Sequence, residues 1–443
     1  MISPNHLAEI VIKVITGRES RNCGIVYING KYIRIKGDLS FPLDLDHWRG
    51  YIDTESDCFK NSKDILHYFV NRNALTHLTL DADILQVLKN YIIDELNGTY
   101  NEINLHQRLY LDYTNKFVLI NFRRSIVACD AFKSVTCKHL RSGRKQSCMK
   151  HFTLEVDNDK VSEVTNLRLY FLRKVSLNLL KCQDFDAHCD DNISNNYVFT
   201  TKSENNIDKS SSPYLCGVIL NGNKKKECIL SQEMYIQKKV EKIKKLNYLK
   251  HFYSNIDANI VEKNVETIAK ASVVYELLSV KHSSPVIIEK SDDKEICIKE
   301  AAFILYNNVR ITAILNKYTR LVFDEDYPQL DPIESVVALY ELVDDESWSL
   351  IYNYIIKYPD VLEAVVKVEP KLEINIHLLW AFVSCLCHDF SKYYRKHKII
   401  MVYKDGNDLV RVTTRERLHL LKALQTVLIN SLSLLDIEEL NYM

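Results

Sequence analysis

The sequence predicts a multidomain α+β protein that ends in an all-helical bundle. The chain has 443 residues, more than the roughly 150 residues of a single ordinary domain. Strand patterns occur in the first part of the chain, where the apolar run at 117–122 reads FVLINF. From residue 262 onward, apolar residues recur at helical spacing in one segment after another.

The composition is that of an ordinary globular protein, with 47% hydrophobic and 26% charged residues. Lysine plus arginine and aspartate plus glutamate both number 58, so the formal net charge is zero. Any nucleic-acid site must therefore depend on local basic patches. The twelve cysteines contain no CxxC pair, and the N-terminus lacks the pattern of a signal peptide, which indicates a reducing compartment. No apolar run reaches the ~20 residues of a membrane span.

Residues 1–105 are predicted to form a small α+β domain. Ser3 and Pro4 are typical of an N-cap and a first helical position, so a helix is expected to start there. The segment 24–35 is predicted to be a β-hairpin, because two alternating apolar runs flank Asn29-Gly30. Two further helices are expected, at 62–70 and 82–96.

The middle of the chain falls into three predicted parts. Residues 106–182 are expected to form an α/β core, with the strand at 117–122, a basic segment and a helix over 164–180. Residues 183–223 are rich in Asn, Asp and Ser without periodicity, and they are interpreted as a flexible polar linker. Residues 224–298 are expected to form a basic helical connector.

The connector has two interpretations. Ile236, Val240 and Ile243 place an apolar stripe on one helix face and leave lysines on the other. A solvated helix face explains this pattern. A contact to the phosphate backbone of a nucleic acid explains it as well, because lysines neutralise phosphates without reading sequence.

Motifs of common enzyme classes are missing. The sequence contains no G-x-G-x-x-G, no G-x-x-x-x-G-K-[ST], no G-x-S-x-G and no H-E-x-x-H. The run from Cys385 to Cys387 and His388 lies in an apolar helical pattern, so buried thiols are expected rather than a metal site. His419, on a leucine-rich helix, is expected to be structural. The sequence therefore predicts no metal and no cofactor.

The C-terminal segment contains three predicted helices. The first runs over 348–358 and is expected to stop at Pro359. The second runs over 376–394. The third runs over 413–435, with Thr414 as its N-cap. Short connections between such helices favour an antiparallel bundle.

The same segment carries an ordered series of motifs. It begins with Phe303, Tyr306 and Arg310, which are three and four residues apart and therefore on one helix face. Further motif segments follow at 346–360, Pro370, 389–394, 417–437 and 442–443. In this order and spacing they resemble the DALR-type anticodon-binding domain that ends arginyl-tRNA synthetases, and the helix over 271–279 resembles the one that precedes that domain. The resemblance implies an all-α DALR-type bundle over 299–443.

The resemblance also implies an anticodon site. An anticodon loop has unstacked bases, which proteins read by aromatic stacking and base-edge hydrogen bonds. By the resemblance, the anticodon site is lined by Phe303, Tyr306, Arg310, Tyr394 and Met443. The basic residues around Tyr394 that would hold loop phosphates are Lys392, Arg395, Lys396 and Lys398. Periodicity alone also fits Phe303 and Tyr306 as core residues. Asn307-Asn308 stands where the family has Ala-His, which leaves the base preference open.

The catalytic part of a synthetase is not recognisable. The segment 136–142 resembles the H-I-G-H element only in part, because Thr136 and Lys138 replace its first histidine and its glycine. A lysine side chain there would fill the space through which a nucleotide approaches the backbone. No K-M-S-K-S-like segment follows. The resemblance thus implies a degenerate synthetase-like α/β body over 106–182, and a pseudoenzyme.

A DALR domain on such a body is similar to the family of DALR anticodon-binding-domain-containing protein 3. That resemblance implies a cytoplasmic, non-catalytic adaptor that binds arginine tRNA, and neither DNA nor a membrane. The implied partner is a methyltransferase that makes 3-methylcytidine in the anticodon loop of certain arginine tRNAs. Two alternatives remain open: a divergent arginyl-tRNA synthetase with ATP-dependent aminoacylation, and a protein-interaction scaffold without RNA binding.

Overall fold

A computed structural model of the protein describes most of the chain. The described residues are 2–20, 23–100, 105–136, 151–188, 196–202, 211–245, 258–288, 295–324, 328–333, 344–369, 371–405, 408–413 and 415–440. The chain forms two compact units, one of residues 1–138 with 330–360 and one of residues 139–329 with 361–443. Residues 330–360, predicted to belong to the C-terminal domain, group in the structure with the N-terminal residues. The multidomain α+β class is confirmed.

In the first unit, helices surround a small antiparallel sheet. The helices up to residue 136 are α1 (Pro4–Thr16), α2 (Ile33–Lys36), α3 (Asp57–Lys60), α4 (Ile65–Arg72), α5 (Asp81–Tyr100) and α6 (Arg124–Thr136). The strands are β1 (Tyr27–Ile28), β2 (Leu39–Pro42), β3 (Leu109–Tyr113) and β4 (Phe117–Phe122), in the order β1-β2-β4-β3. The predicted helices at the N-terminus, near 62–70 and near 82–96 are confirmed, and so is the strand at 117–122. As expected for an N-cap, the Ser3 Oγ accepts the backbone N–H of His6 at 3.2 Å.

The predicted hairpin around Asn29-Gly30 is wrong. The strand β1 pairs instead with β2, and the intervening residues form a loop that contains α2. The Asn29 Nδ2 donates to the Lys36 carbonyl at 3.0 Å and to the Ser40 Oγ at 3.1 Å, so this side chain organises the whole loop instead of a two-residue turn. The second apolar run is also mostly exposed, with Ile35 exposed at 73%, so burial does not drive it into a strand.

A buried carboxylate lies at the centre of the first unit. Asp38, 2% exposed, accepts the backbone N–H of Phe122 at 2.6 Å and the indole N–H of Trp348 at 2.7 Å. Its backbone carbonyl accepts the Tyr352 hydroxyl at 2.8 Å. Burial raises the pKa of Asp38 to about 6, although these two N–H donors favour the ionised form. The segment 344–356 is thereby hydrogen-bonded to the residue that precedes β2.

The helix around Trp348 does not end at Pro359. The helix α11 (Asp345–Leu350) continues into a π-helix (Ile351–Ile356), and α12 (Tyr358–Val365) then starts one residue before the proline. Pro359 therefore lies in the first turn of α12. That position suits proline because a first-turn N–H has no helical acceptor to lose, and because the fixed φ of proline matches the helix.

In the second unit, a parallel sheet packs against helices. Its strands are β5 (His151–Val156), β6 (Asp186–His188), β7 (Asn196–Thr200) and β8 (Ser212–Leu215), in the order β6-β5-β7-β8. A two-stranded parallel ladder joins β9 (Ile219–Leu220) to β10 (Val286–Ile287). The crossover helix α7 (Glu163–Cys182) confirms the helix predicted over 164–180.

The predicted polar linker at 183–223 is wrong for the described residues. This segment contributes β6, β7, β8 and β9. Phe199 and Tyr214 are buried, with 0% and 3% of their surface exposed, and their ring centroids lie 4.8 Å apart. Strands of two to five residues are too short to show a period in the sequence, and the polar residues between them hide the few buried positions.

A buried arginine connects α7 to two loops of the second unit. The Arg168 Nε donates to the Leu277 carbonyl at 2.9 Å, and its Nη1 donates to the carbonyls of Gly217 at 2.6 Å and Ser284 at 2.7 Å. The side chain is fully buried, and burial lowers its pKa. We call this arrangement the carbonyl cage. A methyl group on Gly217 would lie 2.2 Å from the Ser284 carbonyl oxygen, so the cage requires glycine there.

The helices of the second unit form a bundle. They are α8 (Gln232–Lys245), α9 (Ala258–Leu278), α10 (Ile296–Asp324), α13 (Ile376–Lys396) and α14 (Arg415–Leu434), packed as α8 on α9, α9 on α10, and α10 on α13 and α14. The predicted helices over 376–394 and 413–435 are confirmed, while Thr414 lies outside the described residues. The bundle segment also contains two antiparallel strand pairs, β11 (Val366–Lys367) with β12 (Glu373–Ile374) and β13 (Ile400–Asp405) with β14 (Asp408–Thr413). Within the described residues, no helix is both long enough and apolar enough to cross a bilayer.

Candidate nucleic-acid interface

Two neighbouring helices, α10 and α13, present a continuous strip of aromatic and polar side chains. On α10 the strip contains Glu300, Phe303, Tyr306 and Arg310, and on α13 it contains Ser384, His388, Ser391 and Tyr394. The two sets lie at the i, i+3 and i+4 spacings that place side chains on one face of a helix. We call this surface the α10–α13 strip. Its members interact in pairs across the two helices.

At one end of the strip, an arginine is clamped by two tyrosines. The Arg310 guanidinium carbon lies 4.4 Å from the Tyr306 ring centroid and 5.2 Å from that of Tyr394. The Nη1 of Arg310 lies 3.5 Å from the hydroxyl of Ser391, at the outer limit of a hydrogen bond. Cation–π contacts of this kind contribute about 0.5–1 kcal/mol each at exposed sites. The structure therefore brings together three residues that the sequence placed in the anticodon site.

The clamped guanidinium keeps its charge available. Within the described part of the chain, no carboxylate forms an ion pair with Arg310. The side chain is half-buried, and its planar fork is held between two ring faces. A guanidinium oriented in this way can form paired hydrogen bonds to a phosphate or to a base edge. The conformational entropy of ordering the arginine is already lost in the folded protein.

The other end of the strip is a stacked pair that was not predicted from the sequence. The Phe303 ring and the His388 imidazole have centroids 4.6 Å apart and planes inclined by 30°. The His388 side chain is 49% exposed, whereas Phe303 is half-buried beneath it. Cys387 is buried and Cys385 is exposed, so only one of the two thiols predicted to be buried lies in the core. His388 sits six residues before Tyr394 and three before Ser391, and counting back from Tyr394 at helical spacing would have found it.

The pair Asn307-Asn308 faces the interior of the bundle. Both side chains are 0% exposed. The Asn307 Nδ2 donates to the Phe303 carbonyl at 2.8 Å, and the Asn308 Nδ2 donates to the Glu439 carboxylate at 3.1 Å. Neither amide forms part of the exposed surface of the strip. Through this hydrogen bond, Asn308 contacts the segment that follows α14, in which Ile437 and Leu440 are buried.

The four residues predicted to bind phosphate lie at the C-terminal end of α13 or just beyond it and are exposed, so their role stays a prediction. Lys392 pairs with Asp389 at 3.0 Å, and the Arg395 Nε donates to the Ser391 carbonyl at 3.3 Å. Basic residues in a last helical turn also interact favourably with the helix dipole, so a structural role explains part of this pattern. Lys396 and Lys398 complete the group. Met443 lies outside the described residues.

On the basic helix α8, part of the lysine set is used by the fold. Tyr235, Val240 and Ile243 are buried. Lys239 forms an ion pair with Glu276 at 2.5 Å, and both side chains are 14% exposed. Lys238 and Lys245 are exposed. The predicted amphipathic helix is therefore present, and a phosphate contact through its exposed lysines stays a prediction.

At the carboxyl edge of the parallel sheet, the protein's own side chains form two ion pairs. In open α/β sheets, ligands bind in the crevice beyond the carboxyl ends of the strands. Here Lys202, just after β7, bonds to both carboxylate oxygens of Asp157, just after β5, at 3.0 and 2.8 Å. That bond lowers the pKa of Asp157. Beside it, Lys226 pairs with Asp159, whose side chain is 5% exposed. The H-I-G-H-like segment predicted at 136–142 lies outside the described residues, apart from the backbone of Thr136 at the end of α6.

These features define a class of protein: a helical bundle with an aromatic and arginine strip, joined to a parallel α/β sheet that carries ion pairs at its carboxyl edge. Residues 304–443 match the family model of the DALR anticodon binding domain. The resemblance predicted from the motifs beginning at Phe303 is therefore confirmed.

The curated relatives that match the chain are named for the same anticodon-binding domain. DALR anticodon-binding domain-containing protein 3 of Danio rerio is 22% identical over 180 residues, which cover 39% of this chain and 32% of that protein. Its counterpart from Mus musculus is 24% identical over 181 residues, with 40% and 33% covered. The chain thus aligns with about a third of the length of the curated relatives it matches.

Among solved structures, the chain is similar to the crystal structure of arginyl-tRNA synthetase from Plasmodium falciparum. The TM-score is 0.59 at 10% sequence identity, with 99% of this chain and 98% of that chain covered. At this identity the likeness shows the fold alone. The predicted synthetase-like fold is therefore present.

Proposed function

We propose that the protein is a non-catalytic adaptor that binds arginine tRNA at the anticodon loop. The clamped Arg310 is the observation that carries this proposal. A strip of partly exposed aromatic rings around a cation that has no ion pair among the described residues matches the needs of unstacked bases and their phosphates. The DALR match over 304–443 supplies the RNA class. Phe303, Tyr306 and Tyr394 contribute rings, and Met443 would complete the site.

The phosphates of the loop would be held at the end of α13. Lys392, Arg395, Lys396 and Lys398 are exposed beside Tyr394 and would neutralise phosphates without reading sequence, Lys392 by exchanging its pair with Asp389. The exposed lysines of α8 are a second candidate for backbone contact. Because the net charge of the chain is zero, this binding would depend on these local patches and would weaken with salt.

A partner enzyme would supply the chemistry. By similarity to the DALR domain-containing relatives, the proposed partner is a methyltransferase that forms 3-methylcytidine in arginine tRNAs. The ion pairs of Asp157 and Asp159 support the proposal of a non-catalytic chain, since they lie at the sheet edge where open α/β sheets usually bind ligands. The scattered cysteines of the sequence fit a cytoplasmic setting.

Equilibrium binding of arginine tRNA, measured against other tRNAs, tests the proposal. Arg310→Ala is expected to weaken binding by about 10- to 100-fold, in line with the loss of roughly 1–3 kcal/mol for a stacking or charged contact. Arg320→Ala is the matched control, because Arg320 is an exposed arginine on the same helix. Equal affinity for all tRNAs, or equal effects of the two substitutions, would contradict the proposal.

The ligase alternative is tested separately. The likeness to a synthetase fold is the observation that favours it. Arginine-dependent exchange between ATP and pyrophosphate is expected to be absent, and clear activity abolished by His139→Ala would establish a divergent synthetase. Affinity purification from cytosol, with sequencing of bound tRNAs and identification of co-purifying enzymes, tests the methyltransferase partner. A scaffold without RNA binding would recover proteins but no enriched tRNA.

A further inference from the structure

We propose that His388 is a base-stacking residue of the α10–α13 strip and that Phe303 acts beneath it as a support. This inference rests on the proposed function, since it names a further contact for the same RNA loop. The sequence assigned no role to His388 beyond excluding a metal site, and by the resemblance it gave Phe303 a direct base contact. The geometry of the stacked pair indicates a different division of roles.

The imidazole covers the phenyl ring. The two rings lie 4.6 Å apart with planes 30° from parallel, so one face of Phe303 is occupied by His388. His388 is the more exposed of the two, with 49% of its side chain accessible. A base approaching this end of the strip therefore meets an imidazole face first.

The imidazole is also held in place from one side. The His388 Nε2 lies 3.6 Å from the Glu300 carboxylate. The same carboxylate oxygen accepts the Ser384 hydroxyl at 3.1 Å. Glu300 is thus positioned by α13 and in turn orients the ring of His388. A ring fixed by stacking and by a polar contact loses little conformational freedom when a base stacks on it.

The chemistry of the imidazole adds an edge that a phenyl ring lacks. Imidazole nitrogens donate and accept hydrogen bonds, whereas the rim of a phenyl ring does neither. The proposed ligand is an unpaired nucleobase of the anticodon loop, stacked on the His388 face at the end of the strip opposite the Arg310 clamp. The strip would then contact bases at two places along α10, about two helical turns apart.

Four variants test this division of roles with an anticodon stem-loop RNA of arginine tRNA. His388→Ala is expected to weaken binding at least about fivefold, and His388→Phe is expected to keep most of the affinity because it restores a ring face. Phe303→Ala is expected to weaken binding in the wild-type background and to add nothing in a His388→Ala background. His47→Ala is the matched control, since His47 has a 54% exposed side chain in the first unit.

The outcomes separate this inference from the proposed function. If Arg310→Ala weakens binding while His388→Ala does not, the inference is wrong and the proposed function stands. If Phe303→Ala and His388→Ala act additively, Phe303 has its own contact and the supporting role is wrong. If His388→Phe loses as much affinity as His388→Ala, stacking is excluded. Failure of the wild-type protein to bind the RNA contradicts the proposed function itself. Matching thermal unfolding midpoints among the variants show that each has folded.

Discussion

Replacing Asp38 with asparagine removes the buried charge at the centre of the first unit. Burial raises the pKa of this carboxyl from 3.8 to about 6, a difference of about 2 units, which corresponds to about 3 kcal/mol. Because the pKa in the folded state is raised, the folded protein binds the proton more tightly than the unfolded chain between about pH 4 and pH 6. The contribution of Asp38 to stability is therefore most favourable below about pH 4 and is lost as the pH rises to about 6.

An indole signal can report this titration directly. The Trp348 Nε1–H donates to the Asp38 Oδ1 at 2.7 Å, whereas the Trp48 Nε1–H donates to the Pro42 carbonyl at 2.8 Å. In protein labelled with ¹⁵N-tryptophan, we expect the Trp348 indole resonance to shift with a midpoint near pH 6 and the Trp48 resonance to stay constant. The chain has three tryptophans, so the spectrum is simple to assign by substitution.

The asparagine variant provides the control. In Asp38→Asn the Trp348 resonance is expected to show no midpoint near pH 6. The difference in unfolding free energy between wild type and variant should change by about 3 kcal/mol between pH 4 and pH 7, in favour of the variant at the higher pH. A midpoint below about pH 4.5, or a stability difference that does not depend on pH, would refute the assignment of a costly buried charge to Asp38.

Three further predictions follow from named contacts. Lys357→Met should move the midpoint of the Trp348 signal to higher pH, because the Lys357 ammonium lowers the pKa of Asp38, and the same spectra measure it. Arg168→Met should lower the free energy of unfolding of the second unit by about 3 kcal/mol or more, because three carbonyls lose their buried donor. Urea unfolding measures this loss, and Lys181→Met, an exposed position on the same helix, is the control. Asn308→Ala should speed proteolysis after α14 and spare the rest of the bundle, as mass spectrometry of limited digests can show.

Long periodic segments could be predicted from the sequence, and short elements could not. The helices around 164–180 and 376–394 were predicted because several turns of apolar spacing outweigh local exceptions. The strands within 183–223 were missed because their register depends on partners far along the chain. The turn at Asn29-Gly30 was misread because the signal is local, whereas the Asn29 side chain bonds to residues seven to eleven positions away.

The candidate site was also predicted only in part: its residues could be named from the sequence, but their contacts could not. Phe303, Tyr306, Arg310 and Tyr394 were named from motif spacing, and the clamp brings the last three together. Which faces of these residues are accessible depends on α13 and could not be read from spacing on α10. For this reason no contact with Phe303 was predicted for His388. The roles of Asn307-Asn308 likewise became clear only through the contact between Asn308 and Glu439.

The interleaving of the two units limits how the chain can be divided for experiments. The indole of Trp348, which is 0% exposed, is hydrogen-bonded to Asp38, more than three hundred positions earlier. An expression fragment of residues 304–443 would cut that bond and leave Trp348 and Tyr352 without the sheet that covers them. Exposed aromatic surface of this kind promotes aggregation. Measurements on the matched segment alone would therefore describe an incompletely folded protein.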